Sequence, residues 1–146
     1  MALIAYSEVG DNPLTKLLGH NPVLLKNWMT LLGSFYQNCD LDRDLQEEVR
    51  RAVAYQIGCA YCMSHGCPTQ AIKDRKTKTA VEFAKKIVDT QRPIASQDIA
   101  PLKEFFSEKE IAELCAFICY GIGLARFGAA LNVAPSMRSP LEEHIS

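Results

Sequence analysis

The sequence predicts an all-α fold, a single-domain bundle of six to seven helices. Three observations carry that prediction. Apolar residues recur at spacings of three and four, the period of a buried helix face. Asn-Pro pairs and Ser/Thr-x-x-Glu boxes stand where helices would begin. No alternating apolar and polar run competes as a strand, since Met1 to Tyr6 is short and terminal.

The elements follow in order. Asn12-Pro13 caps a short first helix to about Gly19. Asn21-Pro22 caps a second, to about Gln37, with Leu24, Leu25, Trp28, Leu31, Leu32 and Phe35 along one stripe. A third runs from about Asp42 to Ile57. Leu45, Val49, Ala52, Val53 and Gln56 line one side, with Glu47, Arg51 and Ala54 on the other. Gly58 suits its left-handed C-terminal position. A fourth helix starts at the cysteines and is interrupted or ended around Gly66-Cys67-Pro68. The box Thr79-Ala80-Val81-Glu82 opens a helix to about Thr90, and Ser96-Gln97-Asp98 caps one to about Phe106. Ser107-Glu108-Lys109-Glu110 opens the longest and most apolar helix, to about Leu131; Pro135 onward reads as a loose tail.

A chain of 146 residues, 48% hydrophobic and 23% charged, suits one globular domain, residues 1–146 with a core of about 12–133. The formal charge of −1 sets aside a general nucleic-acid binder, and Lys73 to Lys78 reads as a solvated loop or helix end. No uninterrupted apolar run approaches the ~20 residues of a membrane span, and the N-terminus lacks the regions of a signal peptide. Six cysteines, at 39, 59, 62, 67, 115 and 119, then fit a reducing cytoplasm. There, closely spaced cysteines serve catalysis or metal more often than a structural framework.

The most informative segment is Gly58-Cys59-Ala60-Tyr61-Cys62-Met63-Ser64-His65. A disulfide closes over so short a spacing. Helix-start N–H groups would favour the thiolate of the second cysteine, and the thiolate is the nucleophile. A zinc site using Cys59, Cys62, His65 and Cys67 is the rival reading. Its ligands crowd into nine residues, and no second Cys-x-x-Cys completes it. Cys67 reads as a partner for Cys62 or, more in keeping with a free cysteine, as an inert small buried hydrophobe; Cys115 and Cys119 read as core residues of the last helix, and Cys39 as a loop residue. His20 reads as a helix-end residue and His144 as part of the tail. Trp28 and Tyr36 read as core or subunit-contact residues. Arg126 reads as a buried carboxylate partner or an interface residue. If the turn at Gly58 folds the cysteine helix back along the third, Cys62 and His65 approach Glu47. Otherwise Glu47 is a solvated partner of Arg51, four residues on.

The pattern Glu47, eleven residues, Cys59, two residues, Cys62 resembles the alkylhydroperoxidase D-like branch of the carboxymuconolactone decarboxylase family. His20-Asn21-Pro22 before a Trp-containing helix, Cys59-Ala60-Tyr61-Cys62 and Phe106 to Ile111 resemble it too. The resemblance covers most of residues 12–133. It implies an all-α fold, usually a homotrimer or homohexamer. It also implies a dithiol that reduces hydroperoxides or exchanges electrons with a dithiol or protein donor, and no cofactor or metal. By that resemblance Cys62 attacks, Cys59 resolves and Glu47 helps move the proton. The family histidine falls at Gly66 here; His65 lies one residue earlier, ~100° around a continuous helix. His65 substitutes only if the helix is locally distorted. On that reading peroxidase activity is weakened and Gly66→His restores it. Lactone decarboxylation, which needs no dithiol, and a non-enzymatic zinc-binding or assembly module are the alternatives.

Overall fold

In a computed structural model, residues 1–135 are described, so His144 and all but the first residue of the expected tail lie outside them. The described residues form seven α-helices and one 3-10 turn, with no strand. α1 (Pro13–Leu18) and α2 (Pro22–Gln37) begin as the Asn-Pro pairs predict. Asn12 Oδ1 accepts the Thr15 amide at 2.9 Å and Asn21 Oδ1 the Leu24 amide at 3.1 Å. Each proline fills a first-turn position whose N–H would have no helical partner.

α3 (Arg43–Ile57) stops at Gly58, whose φ of 80° is left-handed. The chain turns directly into α4 (Ala60–Met63), a single turn of helix. α5 (Arg75–Asp89) starts four residues before the expected box at Thr79. Asp74 is the working cap, taking the Thr77 amide at 2.8 Å, while the Thr79 hydroxyl bonds back to the Arg75 carbonyl inside the helix. The expected helix from Ser96 to Phe106 is two pieces, α6 (Ser96–Ile99) and the 3-10 turn Leu102–Glu104. Pro101 lies between them and has no N–H for an α-helical ladder. α7 (Glu108–Ala130) opens on the predicted box. The Glu110 amide donates to Ser107 Oγ at 3.2 Å, and the Ser107 amide donates to the Glu110 carboxylate at 2.7 Å.

α3 is the axis of the fold, packed against both α5 and α7. Two neighbours widen its buried face beyond one stripe. Ala54, expected outside, is buried, and Gln56, expected inside, is exposed. Gln46 is also buried, its Nε2 donating to the Phe35 carbonyl at 2.7 Å and tying α2 to α3. α2 is held less closely. Only its Phe35 is fully buried, while Val23, Leu24 and Leu31 remain exposed. Trp28 lies against Tyr120 and Phe127 of α7, with ring centroids 5.6 and 6.2 Å away.

α7 is long and apolar enough, by length and composition, to cross a membrane, although no unbroken apolar run in the sequence suggested it. Leu114, Phe117, Ile118 and Ala125 nevertheless belong to the common core. Its opposite face exposes Cys119, which is therefore not a core residue, and Arg126, which is not a buried carboxylate partner and keeps only its interface reading. The physical reason is that α7 is covered on one side only.

Asp98 locks the α5–α6 connection. Its carboxylate is buried and accepts from Arg92, Lys86 and the Ala95 amide at 2.8–3.0 Å. The Arg92 bonds first, then the Ala95 amide and Lys86, hold its carboxyl well below the usual carboxylate range. A carboxyl depressed in the folded state stabilises the fold above its ordinary value, and that contribution fades as pH falls through the folded value. Asp98→Asn is therefore expected to lower the melting temperature at pH 7. The deficit should shrink steadily below pH 4. Melting curves from pH 7 to pH 2 check this, and a deficit independent of pH would contradict it.

Candidate active site

The turn at Gly58 makes Cys59 the N-cap of α4 and places Cys62 one turn later. Their sulfurs are joined as a disulfide, with Cα atoms 5.2 Å apart. The Cys62 amide donates to Cys59 Sγ at 3.2 Å. Cys62 thus lies in the first turn of α4, as the sequence reading required, but its own amide is directed at Cys59 Sγ.

The two sulfurs differ in access. Cys59 is 0% exposed and Cys62 8%. Cys62, not Cys59, lines a cavity of about 890 Å³ between α2, α3, α4 and α7. Its walls are mainly apolar and aromatic, with Met29, Leu32, Val53, Phe117, Ile118 and Leu124 among them. Arg43 and Tyr36 also line it, the guanidinium 3.8 Å above the Tyr36 ring. Burial raises the Tyr36 hydroxyl pKa; Arg50 and Arg43 oppose this and Glu47 adds to it.

Behind the disulfide lies α7. A Cβ on Gly128 would stand 2.6 Å from Cys59 Sγ and 3.8 Å from Cys62 Sγ. Only a residue without a side chain lets α7 close over the cysteines. Nothing in the sequence marks this position, since Gly128 reads as one small residue in an apolar helix.

The cysteine segment doubles back along α3 as the turn suggested. Arg50 Nη1 donates to the Cys62 carbonyl at 3.1 Å, and Nη2 to the His65 carbonyl at 2.8 Å. The same guanidinium grips Glu47 through both carboxylate oxygens at 2.9 and 2.6 Å, and Arg51 adds a third contact at 3.1 Å. Burial pushes the Glu47 carboxyl up, but the Arg50 hydrogen bonds and the Arg50 and Arg51 charges hold it below the usual carboxylate value. Glu47 is a clamped anion at neutral pH. Arg50 is the residue the sequence reading passed over. Its signal was present: Glu47 and Arg50 share a helix face that the cysteine turn must cover.

His65 lies beyond the end of α4, so the rotation of a continuous helix does not apply to it. It is 9% exposed and lines the same cavity as Cys62. Its Nδ1 lies 2.8 Å from the Tyr61 carbonyl, an acceptor, which assigns the Nδ1 proton and leaves Nε2 as the basic nitrogen. The Tyr61 ring packs on the imidazole, centroids 4.7 Å apart. Gly66 has φ +125°, and a Cβ there would meet the Arg51 guanidinium at 3.0 Å. A histidine at 66 is strained whatever its chemistry, so the expectation that Gly66→His restores a relay does not stand.

The remaining thiols are separate. Cys67, expected to be buried, is exposed on the loop after Gly66, and Cys39 is half-buried in the α2–α3 loop. Burial, with a smaller effect of Cys119, raises the pKa of Cys115. Among the described residues no group of three or more His, Cys, Asp or Glu side chains could hold a metal. His20 sits at the α1–α2 turn, its Nε2 2.7 Å from the Ala5 carbonyl.

These features define an all-helical, single-domain fold with a paired Cys-x-x-Cys at the wall of an apolar cavity. Among solved structures, the apo crystal structure of the debrominase Bmp8 shares this fold. The TM-score is 0.73 at 18% sequence identity, over 85% of this chain and 77% of that one. No protein-family model matches the sequence, and no curated protein matches it.

Proposed function

We propose that this chain is a thiol-disulfide oxidoreductase of the alkylhydroperoxidase D-like branch, reducing organic hydroperoxides through Cys62 and Cys59. One observation carries the reading: Cys62 lines an apolar cavity while its bonded partner is sealed behind it. The Cys62 thiolate attacks the terminal peroxide oxygen. The O–O bond breaks, Cys62 becomes a sulfenic acid, and the departing alkoxide takes a proton to leave as an alcohol. His65 Nε2 takes the proton that the Cys62 thiol loses and returns it to the alkoxide. The Cys59 thiol then displaces water from the sulfenic acid and closes the disulfide. A dithiol donor reduces it by exchange at the Cys62 sulfur, the one that lines the cavity. Cys59 leaves as a thiolate that the Cys62 amide already contacts, and a stabilised leaving thiolate departs faster. The apolar walls favour a hydroperoxide with a hydrocarbon or aromatic body over hydrogen peroxide.

The exposed Val23, Leu24 and Leu31 of α2 support self-association, for which the family resemblance implies a homotrimer or homohexamer. A cytoplasmic setting fits a dithiol that is reduced after each turnover. Lactone decarboxylation leaves the paired cysteines without a task.

The aromatic lining supports a second reading, reductive dehalogenation, the kind of activity the name debrominase states for Bmp8. There the Cys62 thiolate takes the halogen from carbon, the carbon takes a proton, and Cys59 expels halide to form the same disulfide.

The test is thiol counting on reduced protein before and after one equivalent of cumene hydroperoxide, with peptide mapping. The expected result is loss of two thiols, a Cys59–Cys62 bridge and one equivalent of alcohol. No reaction at Cys62, or oxidation at Cys67 or Cys119 instead, defeats the reading. Bromide release from a brominated phenol, without peroxide reduction, favours the second.

A further inference from the structure

We propose that Arg50 is the positioning residue that makes Cys62 reactive, and that Glu47 anchors Arg50 rather than carrying a proton. This rests on the dithiol reading above and assigns a division of labour within it.

Cys59 receives the helix-start amide, that of Cys62, at 3.2 Å. Cys62 is the third residue of the same single turn, and its own amide is directed at Cys59. Arg50 holds the segment from the other side: it donates to the carbonyl of Cys62 itself and to that of His65. A guanidinium bonded to the residue's own backbone carbonyl fixes a positive charge on the residue that carries the nucleophile, and a neighbouring cation favours a thiolate. It also joins the segment bearing the nucleophile to the segment bearing the imidazole.

Such a charge must be held in place. Glu47 does this bidentately from the preceding turn of α3, with Arg51 completing the set. A fork-to-fork carboxylate pair is the geometry that fixes a guanidinium most firmly. It is a poor arrangement for a proton carrier, which needs a value near the working pH. Glu47 is held in the opposite direction.

The experiment alkylates fully reduced full-length protein with iodoacetamide across pH 5–10. The Cys62 peptide is quantified by mass spectrometry, and cumene hydroperoxide turnover is measured alongside. Arg50→Met is expected to slow Cys62 alkylation at pH 7 by about tenfold, equivalent to one unit in its profile. Arg50→Lys, which keeps the charge but not the fork, should recover part of that rate. Glu47→Gln loosens the grip on Arg50 but leaves an amide oxygen to accept from it, so Cys62 alkylation and turnover should fall together, each by less than in Arg50→Met. In Arg50→Met/Glu47→Gln the second change should cost nothing beyond the first.

An unshifted Cys62 profile in folded Arg50→Met overturns the proposal. So does a Glu47→Gln protein whose alkylation is normal but whose turnover falls by the ~10²-fold or more expected on losing a proton carrier. Should Arg50→Met fail to fold, Glu47→Gln decides alone. Alkylation needs no peroxide, so a wild-type protein that ignores hydroperoxide defeats the peroxidase reading and leaves this one to be judged on its own arm.

Discussion

Cys62→Ser is expected to slow hydroperoxide reduction by at least about 10³-fold, because the attacking atom is lost outright. Cys59→Ser should behave differently. Its first attack proceeds, since Cys62 and the cavity remain, but the sulfenic acid has no neighbour to condense with. One thiol is consumed per peroxide, and a dimedone adduct forms on the Cys62 peptide. The asymmetry follows from access: Cys62 meets the cavity and Cys59 meets the wall of α7. Stopped-flow peroxide consumption and peptide mass mapping check both variants. Equal behaviour of the two, or a dimedone adduct on Cys59 in Cys62→Ser, would reverse the assignment.

The largest effect on stability should come from Gly128→Ala. Alanine in place of glycine inside a helix ordinarily stabilises by about 0.5–1 kcal/mol. At Gly128 the added Cβ stands 2.6 Å from the buried sulfur of Cys59. Overpacking of that kind costs about 1–3 kcal/mol, so the clash outweighs the helical gain and the sign reverses. Gly123, on the exposed side of the same helix, has nothing within 4 Å of its would-be Cβ. Gly123→Ala should therefore stabilise by up to about 1 kcal/mol. Guanidinium unfolding of both variants checks the pair, and a stable Gly128→Ala would mean that α7 does not close on the cysteines as described. The same variant should also form the Cys59–Cys62 bridge more slowly, since the displaced sulfur must return to bonding range.

Much of this was legible along the chain because its causes are local. Asn12, Asn21 and Ser107 announce helix starts through side chains that reach only three residues ahead. Thr79 misled for a related reason. Its box is a valid local signal, but Asp74 captures the Thr77 amide first and the helix runs through it. Cys62 does fall in the first turn of α4, but which sulfur its amide serves is settled by the fold around Gly58 and not by the spacing. Cys119 was misjudged because periodicity cannot say whether a helix is covered on one side or two.

The residues by themselves determined the helical class, most helix starts, and the pairing of Cys59 with Cys62 on one short turn. Those depend on capping, periodicity and a three-residue separation. Only the folded chain decided which sulfur meets the cavity, that Arg50 bridges Glu47 to the carbonyls of Cys62 and His65, and that Gly128 must lack a side chain. Each of these joins atoms from separate helices. Such distances are set by how α3, α4 and α7 pack together, not by their spacing along the backbone.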